Sequence, residues 1–280
     1  MKKFLLVISL FTLSQAVQAQ GVYVRAYGGV AQATTLVRLG VDGKGTATVN
    51  DDVNLYGTLG GGTNFGINVG YMFSKHVGVD LGIYKFMGKT VTASKDNIAP
   101  IAGVPNAYTI ATATAYSEQI RAVPTIVVSS GGEKIEVFAR VGLLAPVSGK
   151  SVGVQTVRRG FIATNDFIPI DTLQVTQQIA GKFSLGFTGT VGASYHITPK
   201  ISAFGEVQFV GLSVSRESGE VIEYKRSGVV RSIADFETEL QRKAKTTYVD
   251  ENPNPANGIE LNTPSPFNSV GYNFGLKFSF

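Results

Sequence analysis

Six charged side chains stand in stretches where apolar residues alternate with small ones, the places where a charge is least expected. Three are cations and three are anions, and a buried charge is very costly unless an opposite charge lies beside it. The balance predicts a network of ion pairs. We expect Arg25 and Arg140 to be matched by Glu206, and Lys277 to be matched by Asp80 or Glu136.

Candidates for acid–base or nucleophilic catalysis are few. The chain has two histidines, His76 in a predicted turn and His196 near the end of a predicted strand, and zero cysteines. A hydrolytic serine would need one of these histidines within reach as its base. Neither histidine is placed to serve a serine that faces membrane lipid near the outer surface. No catalytic residue is therefore predicted, and we expect a protein that is not an enzyme.

Metal, cofactor and nucleic-acid sites are equally weakly indicated. Without cysteine or clustered histidine, no metal site is predicted. The adjacent Asp51 and Asp52 could bind a hard cation, although a solvated loop is the simpler interpretation. The formal net charge is +5, and no basic run is interleaved with aromatic residues, so no nucleic-acid partner is expected. No cofactor is expected either.

The clearest alternation in the chain lies in residues 269–280. Large apolar side chains occupy every second position, a period typical of a strand with unlike faces. In water the aromatic face would need a second sheet to cover it, whereas in a bilayer lipid covers it directly. We therefore interpret this stretch as a membrane-spanning strand. Its apolar positions are Val270, Tyr272, Phe274, Leu276, Phe278 and Phe280.

Seven further stretches alternate in the same way, so we predict an all-β fold, an eight-stranded antiparallel transmembrane β-barrel. Pro124 should cause a bulge or a broken hydrogen bond in its strand. Arg25, Arg140 and Glu206 would then point into the lumen near mid-depth, and the other charges would lie nearer one end. The seven stretches are residues 22–30, 64–73, 77–84, 119–128, 135–143, 183–197 and 201–214.

The connections alternate between short and long. Tight turns are predicted at Lys75, Gly132 and Pro199, and an even strand number puts both chain ends on their side, the periplasm. The long extracellular loops would be residues 34–62, 88–115, 146–180 and 215–267.

Inside the last of these loops, residues 232–243 are predicted to form a short helix. Ile233, Phe236 and Leu240 would share one face, while Arg242 and Lys243 suit the helix end. The helix would pack against its own loops, cap the barrel or contact a partner.

The first nineteen residues carry the pattern of a cleaved signal peptide. Lys2 and Lys3 precede an apolar run at 4–13, and small residues at Val17 and Ala19 mark a cleavage site. A membrane anchor would need roughly 17 or more apolar residues. We therefore predict a signal peptide at 1–19 and an outer-membrane barrel at 20–280.

The eight strands, the three tight turns, the proline in 120–128 and the terminal NFGLKFSF together resemble the small OmpX-like outer-membrane barrels of gram-negative bacteria. Asn273, Gly275, Phe278 and Phe280 resemble the C-terminal assembly signal of such barrels. The resemblance implies outer-membrane lipid and the barrel-assembly machinery as partners, and a monomer. It covers the strands but not the long loops, through which an extracellular partner is possible.

Two functions stay open from the sequence. Eight strands enclose an interior just wide enough to be filled by side chains. The first function is a non-enzymatic barrel that presents its loops for structural, adhesive or protective interactions. The second is a narrow, porin-like passage for small solutes or ions.

Deleting residues 278–280 should abolish outer-membrane insertion, because the last strand supplies both the seam with the first strand and the resemblance to an assembly signal. Heat-modifiable migration of outer-membrane fractions in gels measures this. A folded, heat-modifiable band from the truncated protein would refute the assignment of the closing strand.

Overall fold

The computed structural model describes residues 21–34, 37–43, 52–163 and 166–280. The predicted signal peptide and Asp51 lie outside these residues. The strands in chain order are β1 (Val22–Ala33), β2 (Val37–Gly43), β3 (Asp52–Gly57), β4 (Gly62–Met72), β5 (Val77–Gly88), β6 (Val91–Pro100), β7 (Ala107–Ser129), β8 (Ile135–Ala163), β9 (Asp166–Gly181), β10 (Gly186–Thr198), β11 (Ile201–Gly211), β12 (Ser213–Val214), β13 (Arg216–Arg226), β14 (Val229–Arg231), β15 (Lys245–Val249), β16 (Ile259–Leu261), β17 (Ser265–Pro266) and β18 (Ser269–Ser279).

Helical structure is limited to α1 (Ile233–Leu240) and a 3-10 turn (Pro255–Asn257) among the described residues. None of the helices in this part of the chain is long and apolar enough to cross a membrane. The prediction of an all-β fold is therefore confirmed.

Eight strands, which we call the central strands, each pair antiparallel with two others of the same set. Short connections after β4, β7 and β10 lie at one end of this set, which we call the turn end, together with Gly21 and Phe280. The pairs are β1–β4, β4–β5, β5–β7, β7–β8, β8–β10, β10–β11, β11–β18 and β18–β1.

The central strands bury polar and aromatic side chains and expose aliphatic ones. In β5, Asp80 and Tyr84 are buried, whereas Leu81 and Ile83 are about half exposed. This distribution is the reverse of that in a water-soluble protein and is typical of a barrel whose outer face meets lipid. Alternation alone decides which side each residue faces, because successive side chains of a strand point to opposite sides.

Glycines on the inner face of β4 make room for large rings. The Tyr23 ring lies against Gly70, where an added Cβ would be 2.2 Å from the ring. Tyr27 lies against Gly66 in the same way, at 2.7 Å. Alternating large and small inner residues lets two neighbouring strands fill one narrow interior.

The prediction of four long loops is wrong, because most of those residues form strands. β7 and β8 run for 23 and 29 residues and pair with each other along most of that length. β6 pairs with β7, β9 pairs with β8, and β13 pairs with β9. The long parts of β7 and β8 beyond the central set, together with β2, β3, β6, β9, β13, β14, β15, β16 and α1, lie opposite the turn end. We call this part of the structure the loop-end extension.

Apolar alternation does not predict these strands, because they lack a continuous aliphatic face. Residues 107–115, AYTIATATA, alternate alanine and threonine with few large apolar side chains. Threonine and tyrosine are enriched in strands, but they add no aliphatic stripe. Apolar alternation therefore detects only the part of a strand that faces lipid.

Helix α1 packs onto the loop-end extension. Ser232 caps it in a capping box with Asp235, and Phe236 is buried against Tyr224, with ring centroids 5.7 Å apart. The predicted helix is present, but its end is not as expected. Because Gln241 adopts a left-handed conformation and ends the helix, Arg242 and Lys243 follow the helix rather than occupying its last turn.

A charged contact also holds α1 in place. Arg226 bridges Asp171 and Glu239 at 3.0 and 2.8 Å, and the Tyr224 hydroxyl donates to Glu239 at 2.7 Å. Burial and this hydrogen bond raise the pKa of Tyr224 to about 12. Burial alone would raise the pKa of Asp171, but the hydrogen bonds from Arg226 and Ser227 and the positive charges of Arg226 and Arg159 together outweigh burial and lower the pKa. A carboxyl group whose pKa is lowered in the folded protein stabilises the fold at pH values above its unfolded pKa. This contribution is lost as the pH falls through the lowered pKa.

Two local expectations from the sequence concern Pro124 in β7 and Phe183 before β10. The β7–β8 register continues from the pair Ala122–Ala145 to the pair Thr125–Gly142 without a shift. Pro124 has no partner on β8, so the expected break in pairing at this proline is confirmed. The register shift itself lies nearby, between Ile120 and Arg121. Phe183 precedes β10, although the sequence placed it in that strand.

Replacing Phe236 by alanine should loosen the loop-end extension and leave the central strands folded. A buried phenylalanine removed to alanine costs on the order of 3 kcal/mol, and here the loss is local. Limited proteolysis should cut 232–243 faster, while heat-modifiable migration is unchanged. Ile233→Ala, at a position 37% exposed, is the control. Equal cleavage of both variants would contradict this packing.

Candidate functional site

Four buried charged residues on four central strands meet in a central charge layer. Arg25 Nη2 lies 2.6 Å from Glu206 Oε2, and Arg140 Nη2 contacts the same oxygen. Arg140 Nη1 is also 3.4 Å from Asp80 Oδ2. The side chains of all four are at most 5% exposed. The layer therefore places two guanidinium groups between two carboxylates, without a net charge.

Neutral donors complete the two carboxylates. Asp80 accepts hydrogen bonds from the Tyr23 hydroxyl at 3.0 Å, from Asn68 Nδ2 at 3.1 Å and from the Thr125 hydroxyl. Asn273 Nδ2 donates to Glu206 Oε1 at 3.1 Å. Ion pairs away from water are tolerated only when the remaining lone pairs are satisfied in this way.

Two aromatic rings close the space beside Arg25. Its guanidinium carbon lies 3.7 Å from the centroid of Phe204 and 4.9 Å from that of Phe138. The two rings meet edge to face with centroids 6.3 Å apart. Cation–π attraction stabilises a desolvated guanidinium, so the rings both fill the interior and hold the cation.

A second group, the turn-end cluster, surrounds Glu136. Lys277 Nζ lies 3.1 Å from Glu136 Oε2, and His196 Nε2 lies 3.6 Å from the same oxygen. Ser202 Oγ is 2.8 Å from His196 Nδ1. Lys277 is thus matched by Glu136, one of its two expected partners, while Asp80 belongs to the central charge layer.

The order Ser202–His196–Glu136 resembles a hydrolytic triad in its contacts but not in its surroundings. Ser202 is 2% exposed, and the cavity beside Glu136 measures about 10 Å³, which is too small for a substrate. Glu136 is already held by Lys277. His76 contacts a backbone oxygen, that of Ser129, at 3.0 Å. The expectation that the protein is not an enzyme stays a prediction.

A third group, not predicted from the sequence, surrounds Arg121, which is 1% exposed. Its Nε donates to Gln119 Oε1 at 2.8 Å and its Nη1 to the Tyr84 hydroxyl at 3.2 Å. Its guanidinium lies 4.2 Å from the centroid of Phe86. No described carboxylate forms an ion pair with it, and Nη2 has no partner in this part of the chain. The available signal was its place on the inward face of an alternating strand.

The residues of the resemblance to an assembly signal occupy β18 and the position after it. Asn273 is fully buried, whereas Phe278 and Phe280 are 37% and 75% exposed. A Cβ at Gly275 would lie 2.1 Å from the backbone oxygen of Ala26, so only glycine lets β1 approach this closely. The assembly role of these residues stays a prediction.

Among the described residues no group of three or more histidine, cysteine, aspartate or glutamate side chains could hold a metal ion. Asp51 lies outside the described part of the chain, and so does the side chain of Asp52. The predicted absence of metal and cofactor stays a prediction.

Residues 4–226 match the family model described as the outer membrane protein beta-barrel domain. OprG from Pseudomonas aeruginosa has 12% identity and a TM-score of 0.43, with 94% of this chain and 97% of that chain covered. Neisserial surface protein A has 10% identity and a TM-score of 0.36, with 94% and 100% covered. Ail of Yersinia pestis has 6% identity and a TM-score of 0.31, with 93% and 97% covered. No curated protein sequence matches.

Replacing Glu206 by alanine should destabilise the protein by about 3 to 5 kcal/mol, because it leaves two buried guanidinium groups without their shared carboxylate. Glu118→Ala removes an exposed pair with Lys85 at 4.0 Å and should change the free energy of unfolding by less than about 0.5 kcal/mol. Urea unfolding in detergent micelles measures both. Equal midpoints for the two variants would contradict the structural role of the layer.

Proposed function

The chain belongs to the outer membrane protein beta-barrel family, and from this premise we propose that its eight central strands close into a barrel with a sealed lumen. The barrel spans the bacterial outer membrane and presents the loop-end extension outside the cell. Its role is non-enzymatic, through structural, adhesive or protective interactions of that extension.

The pairing of the central strands supports closure. Each has two antiparallel neighbours within the set, so along these paired lengths no strand offers an open edge to the hydrocarbon. Unpaired backbone groups there would each cost several kcal/mol. The outward aliphatic residues, such as Ile67, Ile83 and Val141, are each more than half exposed and would be covered by lipid.

A single observation carries the sealed lumen, namely that Arg25 and Arg140 share one oxygen of Glu206. These side chains come from β1, β8 and β11, so the contact bridges the interior rather than following one wall. Phe138 and Phe204 fill the space beside it, and the cavity between this layer and the turn end is only about 10 Å³. That volume is about one water molecule, which disfavours a continuous water column.

Family topology supports the orientation that we propose. The turn end faces the periplasm with both chain ends, and a signal peptide at 1–19 directs export. Short periplasmic turns and longer extracellular segments are typical of such barrels. Insertion uses the barrel-assembly machinery, and the barrel acts as a monomer surrounded by outer-membrane lipid.

The loop-end extension offers an ordered surface to an extracellular partner. Its strands continue the sheet, and the buried cluster around Leu173, Tyr224 and Phe236 fixes α1 on them. A preformed surface loses less conformational entropy on binding than flexible loops lose. This order favours an interaction surface over unstructured loops.

The purified protein in a planar bilayer should give no stable conductance. The matched variant Arg25→Ala/Phe204→Ala removes the cation and one ring from the central charge layer, and it should open a path that conducts. Steady, reproducible single-channel steps from the unmodified protein would contradict the sealed lumen and favour the porin-like passage.

A further inference from the structure

A large cavity lies where the wall of central strands is interrupted. β8 pairs with β10 as far as Leu144 and with β9 from Ser151 onward, so residues 145–150 have no strand partner on that side. A cavity of about 610 Å³ opens there. This volume is typical of small-molecule sites, and it belongs neither to the central charge layer nor to the turn-end cluster.

Apolar side chains stand both at the opening and inside. Val147 and Phe183 line the cavity and are 61% and 79% exposed. Deeper in the cavity, Val152, Val214 and Phe267 are at most 8% exposed. The lining therefore offers apolar side chains both at the opening and inside, which an apolar group can contact.

The charged residues of the lining are all cations. Lys150, Lys182 and Arg216 contribute to it, and the described lining contains no aspartate or glutamate. Lys182 lies 4.0 Å from the carboxylate of Asp250, which is 76% exposed, and Arg216 lies over the ring of Tyr248 at 5.6 Å. Because exposed pairs are weak, the lining keeps a positive potential.

Residues that line the cavity also contact Arg121, the buried cation without a carboxylate partner among the described residues. Gln119 and Phe267 line the cavity and also contact Arg121. Gln119 thus connects the cavity lining to Arg121 through its side-chain oxygen, which accepts from Arg121 Nε. A buried guanidinium without a carboxylate adds to the positive potential at this end. This buried cation and the cationic lining are independent observations, and both favour an anion.

We propose that this cavity binds an amphipathic organic anion, with an apolar body the size of an acyl chain and one acidic head. The body lies against Val147, Val152 and Val214, and the head faces Lys150 and Lys182. The ligand enters sideways, through the gap beside residues 145–150. This site goes beyond the sealed lumen, and it holds whether or not the lumen conducts.

Fluorescence of dansyl-labelled undecanoic acid tests the site, with the protein in nanodiscs of phosphatidylcholine and empty discs as background. We expect saturable binding that weakens as salt is raised. The methyl ester of the same probe should bind roughly tenfold more weakly, since it lacks the charge. Equal affinity for acid and ester would overturn the proposal.

Variants locate the probe. Lys150→Gln/Lys182→Gln removes two partly exposed cations and should weaken binding roughly fivefold, whereas Lys75→Gln, in a turn at the opposite end, should leave it unchanged. Ala180→Trp fills the cavity and should abolish binding while heat-modifiable migration is kept. If Ala180→Trp misfolds, the lysine variants are the test of where the probe binds. Probe binding that these variants leave unchanged would refute the site.

Simple anions test whether an acidic head alone is sufficient for binding. Acetate and inorganic phosphate carry the head without the apolar body and should not displace the probe at millimolar concentration. Displacement by either one at the concentration of the probe would show a site for small anions and would contradict the amphipathic ligand.

Discussion

One carboxylate oxygen of Glu206 holds two guanidinium groups, and the interior is arranged around that contact. Desolvation of three charges is costly, so each needs several partners. Asp80 balances Arg140, Asn273 completes Glu206, and Phe204 covers Arg25. Because these residues come from strands far apart in the sequence, the contact forms only when the strands have their correct registers. The contact is therefore satisfied in the observed registers, and its side chains also occupy the interior.

The inside-out surface and the cavity follow from the same arrangement. Polar groups inside leave the outer face free to be aliphatic, which lipid favours. Toward the loop end the strands no longer need a lipid-facing side, and β7 and β8 continue with polar residues into the extension. The wall is interrupted where β8 changes its partner from β10 to β9. The cavity arises at that change of partner, on the loop-end side of the central charge layer.

Alternation in the sequence was sufficient for the inner and outer faces. It placed Arg25, Arg140 and Glu206 on inward positions, because a period of two fixes the side on which a residue lies. It could not reveal the extension, since AYTIATATA has no apolar stripe. Nor could it distinguish Arg121, which lies inward but meets rings rather than a carboxylate. Which inward residues meet depends on strand registers, and no local pattern encodes these.

A double-mutant cycle between Arg25 and Glu206 measures whether the two buried charges stabilise each other. Free energies of unfolding in micelles are compared for Arg25→Met, Glu206→Gln and the double variant, with Lys85→Met and Glu118→Gln as an exposed control. We expect the double variant to be more stable than the summed single effects imply, by about 1.5 kcal/mol or more, because the two side chains interact directly. Single effects that add within about 0.5 kcal/mol, as expected for the control, would contradict this expectation.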